Sequence, residues 1–166
     1  MLKSVIITFA LVVSAWAQVP YDYIASSGNV SVSTATYAVT LQQPTAANNP
    51  LPVQFPPSPS VGASVYCSVA CTLSIIRATG STGAATATTG TVSPVQPNSP
   101  PASVLLYTAS NYSGGTTLLT VNIPAGTTYP LDMSPTHLGG ANDNITLALA
   151  SLTGTVNITF FPQEIH

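Results

Sequence analysis

Apolar and polar residues alternate along much of this chain, and a period of two indicates strands with one buried face. The clearest case runs from Val65 to Arg77, where the odd positions up to Ile75 are apolar or cysteine. The segment Asn29 to Leu41 predicts a first strand in the same way. No segment has the periodicity of a helix. About eight strands are expected in all, the others being Ala84–Val92, Ser103–Ala109, Thr116–Ile123, Thr127–Asp132, Ile145–Leu152 and Thr155–Phe161.

Glycines and prolines lie between the predicted strands. The glycines suit the turns of a series of antiparallel connections. Two proline-rich passages, 44–59 and 94–101, hold six and four prolines. Because each proline removes a backbone donor, neither passage can be a central strand. We expect both passages to be extended crossings between sheets, within a single domain that covers residues 18–166.

The composition agrees with an all-β chain, since Thr, Ser, Ala and Val are abundant and Lys, Glu and Arg, which favour exposed helices, are scarce. Together these patterns predict an all-β, single-domain antiparallel β-sandwich of jelly-roll or Greek-key type. The last two predicted strands should form a hairpin that turns near Thr153 and Gly154. In that hairpin the apolar residues face the core, and Asn157 and Thr159 face water.

The amino terminus has the pattern of an export signal. Lys3 is followed by a nearly unbroken apolar stretch from Val5 to Ala15, and small residues flank Trp16 at Ala15 and Ala17. This pattern predicts a signal peptide over residues 1–17. An uncleaved anchor is the alternative, but the stretch is shorter than the roughly 20 residues that a membrane helix needs. We expect a protein that is secreted, periplasmic or on the cell surface, without a transmembrane segment after cleavage.

Charge is almost missing from the rest of the chain. Residues 18–166 contain one cation, Arg77, and four anions, which are Asp22, Asp132, Asp143 and Glu164. Nucleic-acid binding needs several Lys or Arg to neutralise phosphates, so the composition argues against it. Proton transfer and metal binding need titratable groups, and few are present. We predict no enzymatic activity, no catalytic residue, no cofactor and no metal site.

The nearest approaches to a reactive site are weak. Asp143 lies in the polar run 139–144, which an ordinary turn explains better than a calcium loop, because calcium usually takes several closely spaced carboxylates. A hydrolytic triad could use His137, but the sequence has no nucleophile-elbow pattern to supply its serine. Asp132 and Asp143 are the carboxylates nearest in sequence, but a pair of acids alone is weak evidence for glycoside cleavage. Four glycosylation sequons begin at Asn29, Asn111, Asn144 and Asn157, and chance accounts for them in a chain so rich in these residues.

The two cysteines are Cys67 and Cys71. An exported chain favours a disulfide between them. In a regular strand their Cα atoms would be ~13 Å apart, which exceeds the roughly 7 Å that a disulfide allows. A bridge therefore requires residues 68–70 to bulge or turn. The alternative is a pair of reduced, buried side chains on one face of a strand.

Three segments resemble the strands of small jelly-roll proteins that serve as decoration or surface subunits in bacterial and phage-derived gene sets. These segments are Val65 to Ile76, Thr108 to Asn111 and Ile145 to Phe161. The resemblance implies a structural subunit with no catalytic residues. It concerns strand patterns and no site motif.

The remaining hypotheses are functions that depend on contacts at the protein surface. The first hypothesis is a structural, surface-decorating or adhesive role, with self-assembly or an unknown surface or matrix partner. The second is a carbohydrate-binding module, in which aromatic rings stack on sugars. Its candidate stacking residues are Tyr66, Tyr107, Tyr112 and Tyr129. A third, more remote hypothesis is an ice-binding face formed by the threonine-rich run Thr79–Thr91, although the chain has no fixed repeat.

Overall fold

A computed structural model describes residues 20–33, 36–44, 52–56, 61–78, 88–108, 114–134, 136–150 and 153–165. Within these ranges the chain is all-β and forms two antiparallel sheets packed together, which confirms the predicted antiparallel β-sandwich. No helical segment of the described chain has the length and hydropathy to span a bilayer. The predicted signal peptide, residues 1–17, lies outside the described residues.

The described residues form fifteen strands, several of them only two or three residues long. In chain order they are β1 (Pro20–Ser26), β2 (Val30–Val32), β3 (Thr36–Gln42), β4 (Val53–Gln54), β5 (Ala63–Cys67), β6 (Cys71–Ala78), β7 (Thr88–Thr89), β8 (Thr91–Pro94), β9 (Leu105–Thr108), β10 (Thr116–Ile123), β11 (Thr127–Leu131), β12 (His137–Leu138), β13 (Asn144–Ala150), β14 (Gly154–Phe160) and β15 (Gln163–Ile165).

The larger sheet has nine strands in the order β11-β5-β14-β1-β15-β4-β12, with β2 paired to β14 and β8 paired to β1. The smaller sheet has six strands in the order β10-β6-β13-β3-β9-β7. Consecutive strands repeatedly change sheets, as β2 and β3, β5 and β6, β10 and β11, and β13 and β14 all do. The strand count exceeds the expected eight partly because these crossings divide long alternating segments into shorter strands.

The segment Val65 to Arg77, predicted as one strand, is divided in this way. It forms β5 in the larger sheet and β6 in the smaller sheet, with a bend at residues 68–70. Asn29 to Leu41 likewise contains β2 and β3, one in each sheet. The inward positions keep the same phase from β5 to β6 because both strands turn their apolar faces toward the same core, although Val69 in the bend between them is 36% exposed. A pattern of period two therefore marks the inward residues but not the point where the strand ends.

The predicted hairpin of the last two long strands is wrong. β13 pairs with β3 and β6 in the smaller sheet, whereas β14 pairs with β1, β2 and β5 in the larger sheet. Their apolar faces do point inward, and Leu147 and Ile158 are fully buried. The two strands face each other across the core instead of sharing hydrogen bonds.

Four strands lie outside the predicted segments: β1, β4, β12 and β15. β1 begins with Pro20 and contains Asp22, and β15 contains Glu164, so neither has the apolar composition of a core strand. β4 lies inside the first proline-rich passage, where Val53 and Phe55 are buried between prolines. The Phe55 ring packs against Phe160 at a centroid distance of 6.4 Å, so this passage contributes to the core.

Cys67 and Cys71 form the predicted disulfide, with their Cα atoms 6.5 Å apart. The bridge closes the bend between β5 and β6. Ser68 holds this bend against β14, because its backbone N–H donates to the Thr155 carbonyl and its Oγ accepts from the Thr155 N–H, each at 2.8 Å. A Cβ atom at Gly154 would lie 2.6 Å from Ser68 Oγ, so this close approach requires glycine.

The disulfide should stabilise the fold by restricting the unfolded chain. For a loop this short, chain entropy predicts that the double variant Cys67→Ala/Cys71→Ala loses about 2 kcal/mol of unfolding free energy. Urea denaturation of the variant and the parent protein would measure the loss. Alkylation followed by mass measurement, without reductant, should modify neither cysteine. Modification of both in the native protein would contradict the bridge.

Candidate functional site

The strand register brings polar side chains of the larger sheet into a row on its outer face. Tyr66 of β5 is directly opposite Thr128 of β11 on one side and Asn157 of β14 on the other. Two residues away, Ser64 is opposite Thr159. Because alternate residues of a strand share a face, these five side chains lie on the same side of the sheet.

A hydrogen-bond network fixes the middle of this row. The Asn157 amide Nδ2 donates to Asn29 Oδ1 at 3.0 Å, and Thr159 Oγ1 donates to Asn157 Oδ1 at 3.0 Å. The hydroxyls of Ser26 and Thr159 are also 3.0 Å apart. The Asn157 carboxamide is thus held from both ends, in an orientation set before any ligand arrives.

The row borders a shallow cavity of about 360 Å³, which we call the polar cleft. Its lining residues are Asn29, Ser64, Tyr66, Thr128, Asn157 and Thr159. None of these residues is an acid or a base of the Asp, Glu, Lys, Arg or His type. The hydroxyls of Ser64, Tyr66 and Thr128 have no hydrogen-bond partner among the described residues, so they remain available to a ligand.

The three predicted stacking tyrosines that the structure describes do not come together. Tyr66 is half-buried and lines the polar cleft. Tyr129 is opposite Val65 and packs against the core. Tyr107 belongs to β9 in the other sheet, where it is opposite Thr40, and Tyr112 lies outside the described residues. Tyr66 is therefore the one predicted stacking residue that the described cleft contains.

Five of the lining residues were not predicted as site residues from the sequence: Asn29, Ser64, Thr128, Asn157 and Thr159. Their types are common throughout the chain, and they come from separate segments that only the sheet register unites. The sequons at Asn29 and Asn157 were noted, but that pattern concerns modification and does not predict that the two amides meet. The alternation of β14 was the only signal, because it placed Asn157 and Thr159 on the outer face.

A second surface lies at the free side of β10. Among the described strands, β10 pairs only with β6 and therefore forms one edge of the smaller sheet. Its eight residues contain no charged side chain and no proline. Leu118 and Leu119 are 51% and 48% exposed. An irregularity between Thr117 and Leu119 interrupts the pairing, and the five residues from Leu119 to Ile123 then pair regularly.

The threonine-rich run of the ice-binding hypothesis is described only over residues 88–91. Thr88 and Thr89 form β7 in the smaller sheet, and Thr91 begins β8 in the larger one. The described threonines of this run are thus divided between two sheets. Residues 79–87 lie outside the described part of the chain.

Each of the four carboxylates accepts a hydrogen bond from another group of the described chain. Glu164 is fully buried, and its Oε1 accepts from the backbone N–H groups of Ser103 and Val104 at 2.8 Å and from the Ser103 hydroxyl at 3.0 Å. Asp143 accepts from the N–H groups of Gly139 and Gly140, as expected of a turn. The other two acids also accept, Asp22 from Gln163 and Asp132 from the Ser134 N–H. Within the described residues, no group of three His, Cys, Asp or Glu could hold a metal ion.

Glu164 ties the segment that follows the second proline-rich passage, at Ser103 and Val104, to the sandwich. The same passage accepts a hydrogen bond from Tyr23, whose hydroxyl donates to the Pro100 carbonyl at 3.0 Å. Burial raises the pKa of Tyr23, and the nearby Glu164 and Tyr21 raise it further. The phenol therefore keeps its proton over the neutral range and remains a donor. These contacts indicate a structural role for the buried acid.

Comparison with known proteins gives no further guide, because no family model, curated protein or solved structure matches this chain.

Replacing Glu164 tests this structural role. Glu164→Ala should lower the unfolding free energy by about 2–5 kcal/mol, because the buried donors of Ser103 and Val104 lose their acceptor. Asp132→Ala is the matched control, since Asp132 is exposed, and its loss should be about 1 kcal/mol or less. Urea denaturation would measure both. Equal losses of unfolding free energy for the two variants would contradict this structural role of Glu164.

Proposed function

We propose that this protein is an exported, non-enzymatic β-sandwich with a structural, surface-decorating or adhesive role, and that it assembles through β10. The observation that carries the proposal is the edge of that strand, which has no second pairing strand among the described residues and carries no charge. An exposed strand edge offers a row of unpaired backbone donors and acceptors, which another strand can join.

Most proteins protect such edges with lysines, prolines or bulges. β10 has an irregularity at Leu118 but neither of the other two protections. The five residues that follow the irregularity are enough for a short ladder of backbone hydrogen bonds. The exposed Leu119 adds apolar area that association would remove from water.

A second copy of the chain is the partner that this edge favours. Antiparallel pairing of β10 with itself creates a twofold contact in which both copies use the same surface. The absence of charge along the strand means that the two copies meet without repulsion between like charges. The export pattern at the amino terminus supports a role outside the cell, where a coat or adhesive subunit acts.

Bond-breaking chemistry has little support from the side chains. The carboxylate of Glu164 accepts hydrogen bonds from Ser103 and Val104, and that of Asp143 accepts them from its own turn. His137 of β12 is opposite Gln54 of β4 and is exposed. The second candidate function is a carbohydrate-binding module, and the polar cleft with Tyr66 is the observation that favours it.

A charge placed on the edge should prevent assembly. In Leu119→Lys, the ammonium group would have to be desolvated or would repel its symmetry mate in the paired state. We expect the parent protein to self-associate with rising concentration and the variant to associate at least about tenfold more weakly. Sedimentation analysis across a concentration series would measure this difference.

Val95→Lys is the matched control, because Val95 is a similarly exposed apolar residue, at 54%, in a loop away from β10. It should associate like the parent protein. Thr120→Lys places the charge at the neighbouring position of the same strand and should weaken self-association as Leu119→Lys does. Because Thr120→Lys keeps Leu119, agreement between the two variants would show that the effect does not come from lost packing of that leucine. A parent protein that stays monomeric at all concentrations, or a control as impaired as the edge variants, would refute assembly through β10.

A further inference from the structure

We propose that the polar cleft binds a neutral sugar unit, with Tyr66 as the stacking residue and the hydroxyls of Ser64 and Thr128 as hydrogen-bonding groups. The site is separate from β10, so this inference does not rest on assembly. It gives the second candidate function a location and a class of ligand.

The hydrogen-bonding groups of the cleft match those of a sugar. Each sugar hydroxyl both donates and accepts, and so does each of the three available hydroxyls, on Ser64, Tyr66 and Thr128. Asn29 adds an amide at the rim, where its side chain is exposed. A ligand with several hydroxyls can therefore satisfy the cleft without leaving a polar group unpaired.

Stacking supplies the apolar part of the contact. The faces of a pyranose ring expose C–H groups, which pack against an aromatic ring. Tyr66 lies between Thr128 and Asn157, which are opposite it on the two neighbouring strands. Its half-buried state leaves part of the side chain exposed at the cavity.

The lack of charge in the lining selects a neutral ligand. An anionic sugar would lose hydration on entry and gain no cation in return, since no lining residue is Lys, Arg or His. A cationic ligand would find no carboxylate. The volume of about 360 Å³ lies near the lower end of the range of about 300–1,000 Å³ for ligand sites, so the cleft suits a small unit.

The Asn157 network prepares the site before binding. The carboxamide of Asn157 is occupied by Asn29 and Thr159, which makes it a positioning residue instead of a ligand contact. Because these side chains are already ordered, less conformational entropy is lost when a sugar binds. A further cavity, of about 260 Å³ beside Cys71 and Asn122, has no aromatic residue in its described lining and does not offer this chemistry.

The experiment uses the methyl glycosides of glucose, galactose, mannose and N-acetylglucosamine as neutral probes, with glucuronic acid as the charged comparison. Each probe is titrated into the purified full chain and followed by NMR. We expect saturable binding of at least one neutral glycoside and at least about tenfold weaker binding of glucuronic acid. Absence of saturable binding for all four glycosides, or equal binding of glucuronic acid, would overturn the proposal.

Two variants test the assignment of residues. Tyr66→Ala should weaken the glycoside that binds by at least about tenfold, because the stacking surface is lost. Thr128→Val keeps the side-chain volume but removes one hydroxyl, and should weaken binding by about three- to tenfold. Tyr107→Ala and Thr120→Val make the same changes on the other sheet and should bind as the parent protein does.

The Thr128→Val variant keeps the test decisive if Tyr66→Ala fails to fold, which circular dichroism would reveal. Unchanged affinity in Thr128→Val, or an equal loss in the two controls, would overturn the site. Leu119→Lys should retain full glycoside affinity while it loses self-association. Loss of sugar binding and loss of assembly can therefore be told apart.

Discussion

The burial of two apolar sheet faces against each other is the interaction on which the rest of this structure depends. Inward side chains such as Leu147 from the smaller sheet and Ile158 from the larger one are fully excluded from water. The chain contributes strands to both sheets by crossing repeatedly from one to the other, which creates sharp bends between strands. The Cys67–Cys71 bridge closes one of these bends, and Ser68 docks it onto β14. Disulfide, bend and close glycine contact all follow from the need to fill one core from two sides.

Because charged side chains are scarce, hydroxyl and amide groups provide hydrogen bonds to the buried polar groups. Thr40 and Thr146 face each other across β3 and β13, and their hydroxyls are 2.7 Å apart although both residues are buried. The one fully buried acid, Glu164, accepts hydrogen bonds from Ser103 and Val104 and so holds the segment before β9 in place. A carboxylate used in this way supports the fold.

The sequence pattern predicted which residues face the core far better than which strands pair. Alternation located the inward side chains of β5, β6, β13 and β14, yet it merged the first two strands and joined the last two as a hairpin. A period of two shows which face of a strand is buried. It does not show which sheet the strand belongs to when two sheets share one core. The candidate site shows the same limit. Tyr66 was predicted from its aromatic ring, whereas Asn29 and Asn157 have no distinguishing sequence signal until the register places them together.

β10 and β11 are consecutive in the chain, and each is the end strand of its own sheet. β10 passes into β11 through residues 124–126, and β11 carries Thr128 at the border of the polar cleft. Pairing of β10 with a second copy would therefore join two clefts in one particle. Weak binding of a single sugar unit becomes strong when two linked sites engage one surface, by a factor of about 10²–10⁴ where the geometry permits both contacts. Assembly through an uncharged edge and binding at a neutral cleft would then be two parts of one adhesive device, and neither part would depend on Coulombic attraction that salt can screen.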